Sequence, residues 1–427
     1  MNKSVKIAVV AWLLAAIYYF YQYMLRSAPS VMIPQLSEAF GLSAIGVASL
    51  VGLFYYGYSP FSLVAGAAID RLGAKNVVPI GAALVGVGAL LFGSGSSTAA
   101  SLGRFLQGAG GVFALVGAIY IASKNFAASK VSTLIGATQM FGMAGGSAGQ
   151  FLVGPLIGGG LAWNKFWIGM GVIGLIISVV LYVLLPKEES SKQSNNLIAG
   201  FVTVFKNPQS ILCGIIAGLI FIPTTIFDMI WGVRYLQEAR GFEYAEAVLR
   251  SATIPLGWMI GCPLLGWISD RIGRRKPVII AGAVVLLICL AWILYGKKQI
   301  LPSYMMGLIA GIASGSAMIP YTVIKEANPP QFGGTATGVI NFLNFTFSAL
   351  LGPVFGRILV NVSGNAPQME LEHYQITFQP LLYGVIIATV LTFLLKETGP
   401  AVRPKATHQE KTYEPKNGHG KIRRATN

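Results

Sequence analysis

The feature that most constrains this chain is a succession of apolar stretches, each about 20 residues or longer, joined by short polar segments. A bilayer core roughly 30 Å thick takes about that many residues to cross as a helix, since each residue advances about 1.5 Å. Such stretches lie near 7–33, 43–68, 76–95, 99–122, 131–160, 163–186, 209–237, 246–268, 277–295, 301–324, 334–361 and 377–396. Charged residues make up 11% of the 427, and mean hydropathy is +0.65. A soluble domain carries about 25% charged residues, so lipid must solvate part of this surface. Spanning helices tolerate glycine and proline, and small residues let them pack closely. The expected fold is an all-α membrane protein with twelve transmembrane helices.

A net charge of +16 raises the question of nucleic acid, and the placement of the charges excludes it. Lys3, Lys6, Arg71, Lys75, Lys124, Lys130, Lys187, Lys192, Lys206, Arg271, Arg274, Arg275, Lys276, Lys325 and the tail from Lys396 fall on one side of the expected spans. The opposite loops hold Lys165, Arg240, Lys297 and Lys298. This is the positive-inside pattern, which puts both termini in the cytoplasm, with some attraction to anionic lipid. The segment 7–33 is too long for a signal peptide and reads as a retained first helix. A bacterial inner membrane is the simplest location. Cys213, Cys262 and Cys289 sit inside spans, spaced for neither metal nor disulfide. There is no plausible nucleophile–base pair or phosphate loop, and His373, His408 and His419 fall outside the spans. The expectation is therefore not an enzyme, with no cofactor and no metal.

A repeat is legible at an offset of two hundred residues. Gly66-Ala-Ala-Ile-Asp70-Arg71-Leu-Gly73-Ala-Lys75 recurs as Gly266-Trp-Ile-Ser-Asp270-Arg271-Ile-Gly273-Arg274-Arg275. Leu36-Ser-Glu38-Ala39-Phe-Gly41 recurs as Leu236-Gln-Glu238-Ala239-Arg-Gly241, and Gly154-Pro155 finds Gly352-Pro353. The chain thus divides into a six-helix bundle over 1–186, a polar cytoplasmic linker over 187–208, a second six-helix bundle over 209–396 and a disordered basic tail over 397–427. Even numbers of spans per half make the repeats parallel, related by an axis along the membrane normal. A solute site is then expected between the halves near mid-membrane.

These loops resemble the signature of the major facilitator superfamily, G-x-x-x-D-[RK]-x-G-[RK]-[RK], with Ala74 replacing one basic residue in the first copy. Arg104-Phe-Leu-Gln-Gly108-Ala-Gly110 is similar to its fourth-helix motif. The resemblance covers about residues 7–396 and implies two pseudo-symmetric six-helix bundles and transport by alternating access. The loop carboxylates Asp70 and Asp270, each followed by Arg71 or Arg271, are expected to form a conformational latch. Such a carboxylate accepts from an Arg or from the N-terminus of a neighbouring helix. Gly154-Pro155-Leu-Ile-Gly158-Gly159 resembles a fifth-helix exporter signature, with Gln150 standing where its first Gly belongs.

Charges inside spans are costly and are functional suspects by default. Arg234, Arg250 and Arg357 lie near enough to helix ends to snorkel. Arg26 shares a helix face with Tyr19, Gln22, Tyr23 and Ser30; Tyr55, Tyr58 and Ser62 form a second stripe, and Thr337, Asn341, Asn344 and Ser348 a third. Thr224, Asp228 and Trp231 share a face of the seventh span, with Pro223 and Gly232 able to loosen it. The substrate-binding candidates are Gln22, Tyr23, Arg26, Tyr58, Arg104, Gln139, Asn341 and Asn344, and Asp228 is the coupling candidate. Tyr23-Met24-Leu25-Arg26, Tyr58 and Arg104 also resemble the anion:cation symporter branch, which implies an anionic solute. Leu25 and Gly111 replace that branch's proton-coupling acids. The expectation is a monomeric secondary transporter of a small organic anion or amino-acid-like metabolite. Its partners are the bilayer and a small-molecule substrate, with a proton or another coupling ion left open. An exporter of hydrophobic or amphipathic compounds and a solute-sensing receptor are the alternatives.

Overall fold

The computed structural model describes residues 3–126, 128–186, 197–297, 303–329, 332–364, 369–399 and 401. The polar stretch 187–196, the tail 402–427 and the side chains of Asp70 and Arg71 lie outside the described residues. In hydrocarbon a backbone has no partner but itself, so the apolar stretches are helical. Helix α1 (Lys3–Ser27) runs into a 3-10 turn, Ala28–Val31, and the short α2 (Ile33–Phe40). Then follow α3 (Ala44–Leu72), α4 (Ala74–Phe92), α5 (Ser97–Asn125), α6 (Ala128–Phe151), α7 (Val153–Gly158) and α8 (Trp163–Leu184). Beyond 196 come α9 (Leu197–Lys206), α10 (Pro208–Ile222), a π-helix (Pro223–Gly232), α11 (Val233–Glu238), α12 (Tyr244–Ile272) and α13 (Lys276–Tyr295). The last are α14 (Ser303–Ser314), a 3-10 turn, α15 (Ile319–Glu326), α16 (Gly333–Ser363) and α17 (Leu371–Leu394). Among the described residues, 11 helices are long and apolar enough to cross a membrane. The other expected span falls on α6, where Gln139, Gln150 and several glycines dilute the apolar residues.

Three expected segments differ in detail. The stretch 131–160 breaks at Leu152, because Pro155 has no N–H for the carbonyl four residues back. The stretch 209–237 widens into a π-helix starting at Pro223, which likewise removes one donor. Within the expected linker 187–208, residues 197–206 form α9, whose Phe201, Val204 and Phe205 share one apolar face.

The repeat offset recurs in the helices themselves, with α12 following α3 by two hundred residues at both ends. Gly73 (φ 76°) and Gly273 (φ 70°) close the two matched helices at a positive φ that residues with a Cβ rarely adopt. Helices α3 and α5 touch backbone to backbone: a Cβ at Gly108 would stand 1.9 Å from the Phe54 carbonyl oxygen. Across the middle of the molecule α3 packs on α16, and α6 on α12. The exterior is apolar, with Val179, Val183, Phe393 and Leu394 exposed, whereas Arg26, Arg104, Gln107 and Asp228 are buried. Polar inside and apolar outside is the arrangement that lipid selects.

Candidate functional site

Arg26 ends the last turn of α1 and is 2% exposed. Its guanidinium carbon lies 4.8 Å from the ring centre of Tyr23, 4.9 Å from that of Tyr55 and 4.8 Å from that of Phe345. Phe54, Phe221 and Tyr58 complete the enclosure at 5.4, 5.7 and 5.9 Å. Cation–π attraction holds the charge in place without neutralising it. Nε and Nη2 each donate to the Tyr55 hydroxyl at 3.4 Å, and Nη1 has no partner. Among the described residues Arg26 joins no ion pair. The cage draws on α1, α3, α10 and α16, so both halves of the chain contribute walls.

Arg104, on α5, is as deeply buried, at 1% exposure, but its surroundings differ. Nη1 donates to the Leu25 carbonyl at 3.2 Å and to Gln107 Oε1 at 2.7 Å, while Nε donates to the Val51 carbonyl at 3.3 Å. Its charge ties α1, α3 and α5 together through backbone oxygens.

The remaining candidates surround Arg26 in two groups. Gln22, one turn before it, has neither amide atom bonded, and its Oε1 fills the space a side chain at Gly111 would need. The Tyr58 hydroxyl and Asn344 Oδ1 are also without partners. Unpaired buried polar atoms are uncommon, and Gln22, Tyr58 and Asn344 carry four of them. In the second group, Tyr19 donates to Gln139 Oε1 at 2.8 Å, and Gln139 Nε2 reaches Met318 Sδ at 3.2 Å. Asn341 Nδ2 donates to Ser62 Oγ at 3.1 Å and Tyr321 donates to Asn341 Oδ1 at 3.0 Å. Of these, Gln139 to Met318 and Asn341 to Ser62, with Ser59 to the Phe342 carbonyl at 2.9 Å, join the two halves on one flank of the cage. On the other flank Tyr244 donates to the Val31 carbonyl at 2.8 Å and Ser147 to the Ala252 carbonyl at 3.0 Å.

Asp228 stands apart from this cluster. It lies in the π-helix, 1% exposed, and accepts from Ser251 Oγ at 2.7 Å. Among the described residues it makes no ion pair, with Arg26 or any other cation. Thr224 and Trp231 do not bring it toward Arg26; Thr224 instead accepts from Trp258 Nε1 at 2.8 Å. What the π-helix offers the cage is a backbone carbonyl, that of Thr225, which accepts from Tyr55 at 2.9 Å.

With this geometry in view, the family profile of the Major Facilitator Superfamily matches residues 15–353. The chain belongs to that superfamily. It is 23% identical over 433 residues to a membrane sensor protein, UhpC, of Salmonella typhimurium, covering 94% of this chain and 93% of the relative. It is 24% identical over 373 residues to a hexuronate transporter of Bacillus subtilis, covering 80% and 85%. Among solved structures, a bacterial homologue of the lysosomal transporter Spinster, inward-facing and unoccupied, superposes with a TM-score of 0.69 at 16% identity, covering 92% of this chain and 98% of that one.

The second copy of the superfamily loop is visible in atomic detail. Asp270 pairs with Arg275 Nη1 at 2.5 Å rather than with Arg271, whose guanidinium lies over Trp267. Arg275 also pairs with Glu326 at 3.0 Å. The carboxylate at the N-terminus of the neighbouring helix α13 comes from Glu397, which accepts from the backbone N–H groups of Arg275 and Lys276. Arg234 and Arg250 pair one turn away, with Glu238 and Glu246, and Arg357 is exposed. Sequence reasoning missed Phe54, Phe221, Phe345 and Tyr321, since single aromatics in apolar spans carry no signal of their own. It also passed over Ser251. Gln150 did carry a signal, as the one departure from the fifth-helix glycine pattern.

Proposed function

We propose that this chain is a monomeric secondary transporter of a bacterial inner membrane, with both termini cytoplasmic, that moves a small organic anion by alternating access. The observation that carries this reading is Arg26: a buried, permanently charged fork with no carboxylate beside it and Nη1 unpartnered. A solute carboxylate supplies the planar pair of acceptors that such a fork prefers. The unbonded groups of Gln22, Tyr58 and Asn344 suit the hydroxyls of a sugar acid, and the hexuronate transporter among the relatives supports that class. Arg104, held by the Leu25 and Val51 carbonyls and by Gln107, positions α1 and α3 rather than touching solute. The crossing contacts on both flanks are the ones that would open in turn, and the Asp270–Arg275–Glu326 cluster would bias their order.

Six aromatic rings around one cation also suit a large amphipathic compound, which keeps the exporter as the second reading. Counterflow in proteoliposomes separates the two, with glucuronate and galacturonate as anions, glucose as the neutral match, and a lipophilic dye. Exchange of a hexuronate but not of glucose supports the proposal. Exchange of the dye, with no carboxylate accepted, overturns it in favour of export. Hexuronate binding without exchange would assign the chain to solute sensing, as the name of its UhpC relative suggests.

A further inference from the structure

A second polar centre lies away from the Arg26 cage, where α6 meets α12 and the π-helix. Ser251 Oγ donates to Asp228 Oδ1 at 2.7 Å and accepts from Gln150 Nε2 at 2.9 Å. Gln150 Nε2 is also 3.4 Å from Ser30 Oγ. One hydroxyl therefore joins a first-half side chain to a second-half carboxyl. Two acceptor atoms of this chain are left without donors, Asp228 Oδ2 and Gln150 Oε1, on residues that are 1% and 0% exposed. Both are oxygens, on residues that meet at the Ser251 hydroxyl, and a proton would give them the donor they lack.

We propose that Asp228 and Gln150 form a proton-binding site whose occupancy fastens α6 to the π-helix. A proton on Oδ2 removes a buried charge that no neighbour balances, and it turns that oxygen into a donor for the free Gln150 Oε1. Without the proton, Oδ2 and Gln150 Oε1 are two acceptors with no donor to share, only Ser251 links the residues, and the junction loosens. The nearby arginines are engaged elsewhere: Arg250 with Glu246, Arg234 through Nε with Glu238, and Arg240 with Tyr235 Oη and the carbonyls of Ile293, Leu294 and Gly296, while Lys297 is exposed. Arg26 is held by its rings. The path for the proton is a cavity of about 80 Å³, room for a few waters, whose lining includes Asp228, Ser251, Gly296 and the exposed Lys297. It bypasses the Arg26 cage, so the site stands independently of the solute assigned there.

The test needs no solute. Full-length protein in lipid is titrated with base while the infrared carbonyl band of a protonated carboxyl and the fluorescence of nearby Trp231 and Trp258 are recorded. Wild type should lose the band and change its emission together. Asp228→Asn should lack both changes while staying monodisperse, and Gln150→Leu should keep the band but shift its midpoint downward, since the proton's acceptor is gone. A band unchanged in Asp228→Asn would overturn the site, and an unshifted midpoint in Gln150→Leu would overturn its pairing with Gln150. The titration should be the same with sodium replaced by choline. A sodium-dependent midpoint would overturn the proton as occupant in favour of a metal cation.

Discussion

Arg26 and Arg104 are the same residue type at nearly the same burial, 2% and 1% exposed, and they sit in opposite circumstances. Around Arg104 two rings, Phe54 and Phe92, lie at 5.1 and 5.9 Å, and the backbone supplies oxygens: the carbonyls of Leu25 and Val51, with Gln107 filling in. Around Arg26 there are rings on all sides, one distant hydroxyl and an unused N–H. A buried charge is tolerated only if something compensates it. At Arg104 the compensation is internal and permanent, which makes a rivet. At Arg26 it is partial, which leaves capacity for a ligand. What each guanidinium already holds, fixed backbone oxygens at Arg104 against one hydroxyl at 3.4 Å at Arg26, rather than burial, separates the two roles.

The comparison can be broken most directly at Arg26. Arg26→Ala should weaken hexuronate binding by about 2–5 kcal/mol, more than tenfold, because the solute's charge would be left unpaired in a dry site. Its detergent-solubilised peak should stay monodisperse, and Arg26→Lys should also fail, since an ammonium lacks the planar fork. Normal binding by well-folded Arg26→Ala would remove the distinction altogether. At Arg104 the loss should appear in stability. Arg104→Ala strips charged donors from two carbonyls, worth about 1.5–3 kcal/mol each, and should lower the unfolding temperature with binding less affected. The reverse pattern would exchange the two roles. Tyr55→Phe sharpens the contrast, because it keeps the ring and removes the hydroxyl that Arg26 reaches. A loss of about 1 kcal/mol in binding is expected, and a loss as large as that of Arg26→Ala would give the hydroxyl, not the guanidinium, the leading part. The smallest effect belongs to Asp270→Asn, remote from both arginines. Its side chain is 63% exposed, so the pair contributes at most about 1 kcal/mol, and counterflow rate should fall more than solute affinity.

Much of this was legible in the residues. Apolar stretches of membrane-crossing length, the repeated Asp-Arg loops and the pair of arginines inside spans follow from hydropathy and spacing alone, because lipid enforces those patterns locally. The stripe carrying Gln22, Tyr23 and Arg26 was readable because one helix sets its own side-chain register. Which arginine is held by backbone oxygens was not, since Leu25 O and Val51 O come from other helices and a carbonyl looks alike at every position. Asp228 illustrates the same limit. Its span and burial were evident, yet its companions are Ser251 and Gln150, one 23 residues away and the other on the far side of the repeat. Sequence by itself determined which segments are long and apolar enough to cross and that Arg26, Arg104 and Asp228 lie buried within them, because those depend on each segment's exchange with lipid. Tertiary structure decided which buried charges are already partnered, because a hydrogen bond forms only over about 3 Å, and helix packing alone brings distant residues that close.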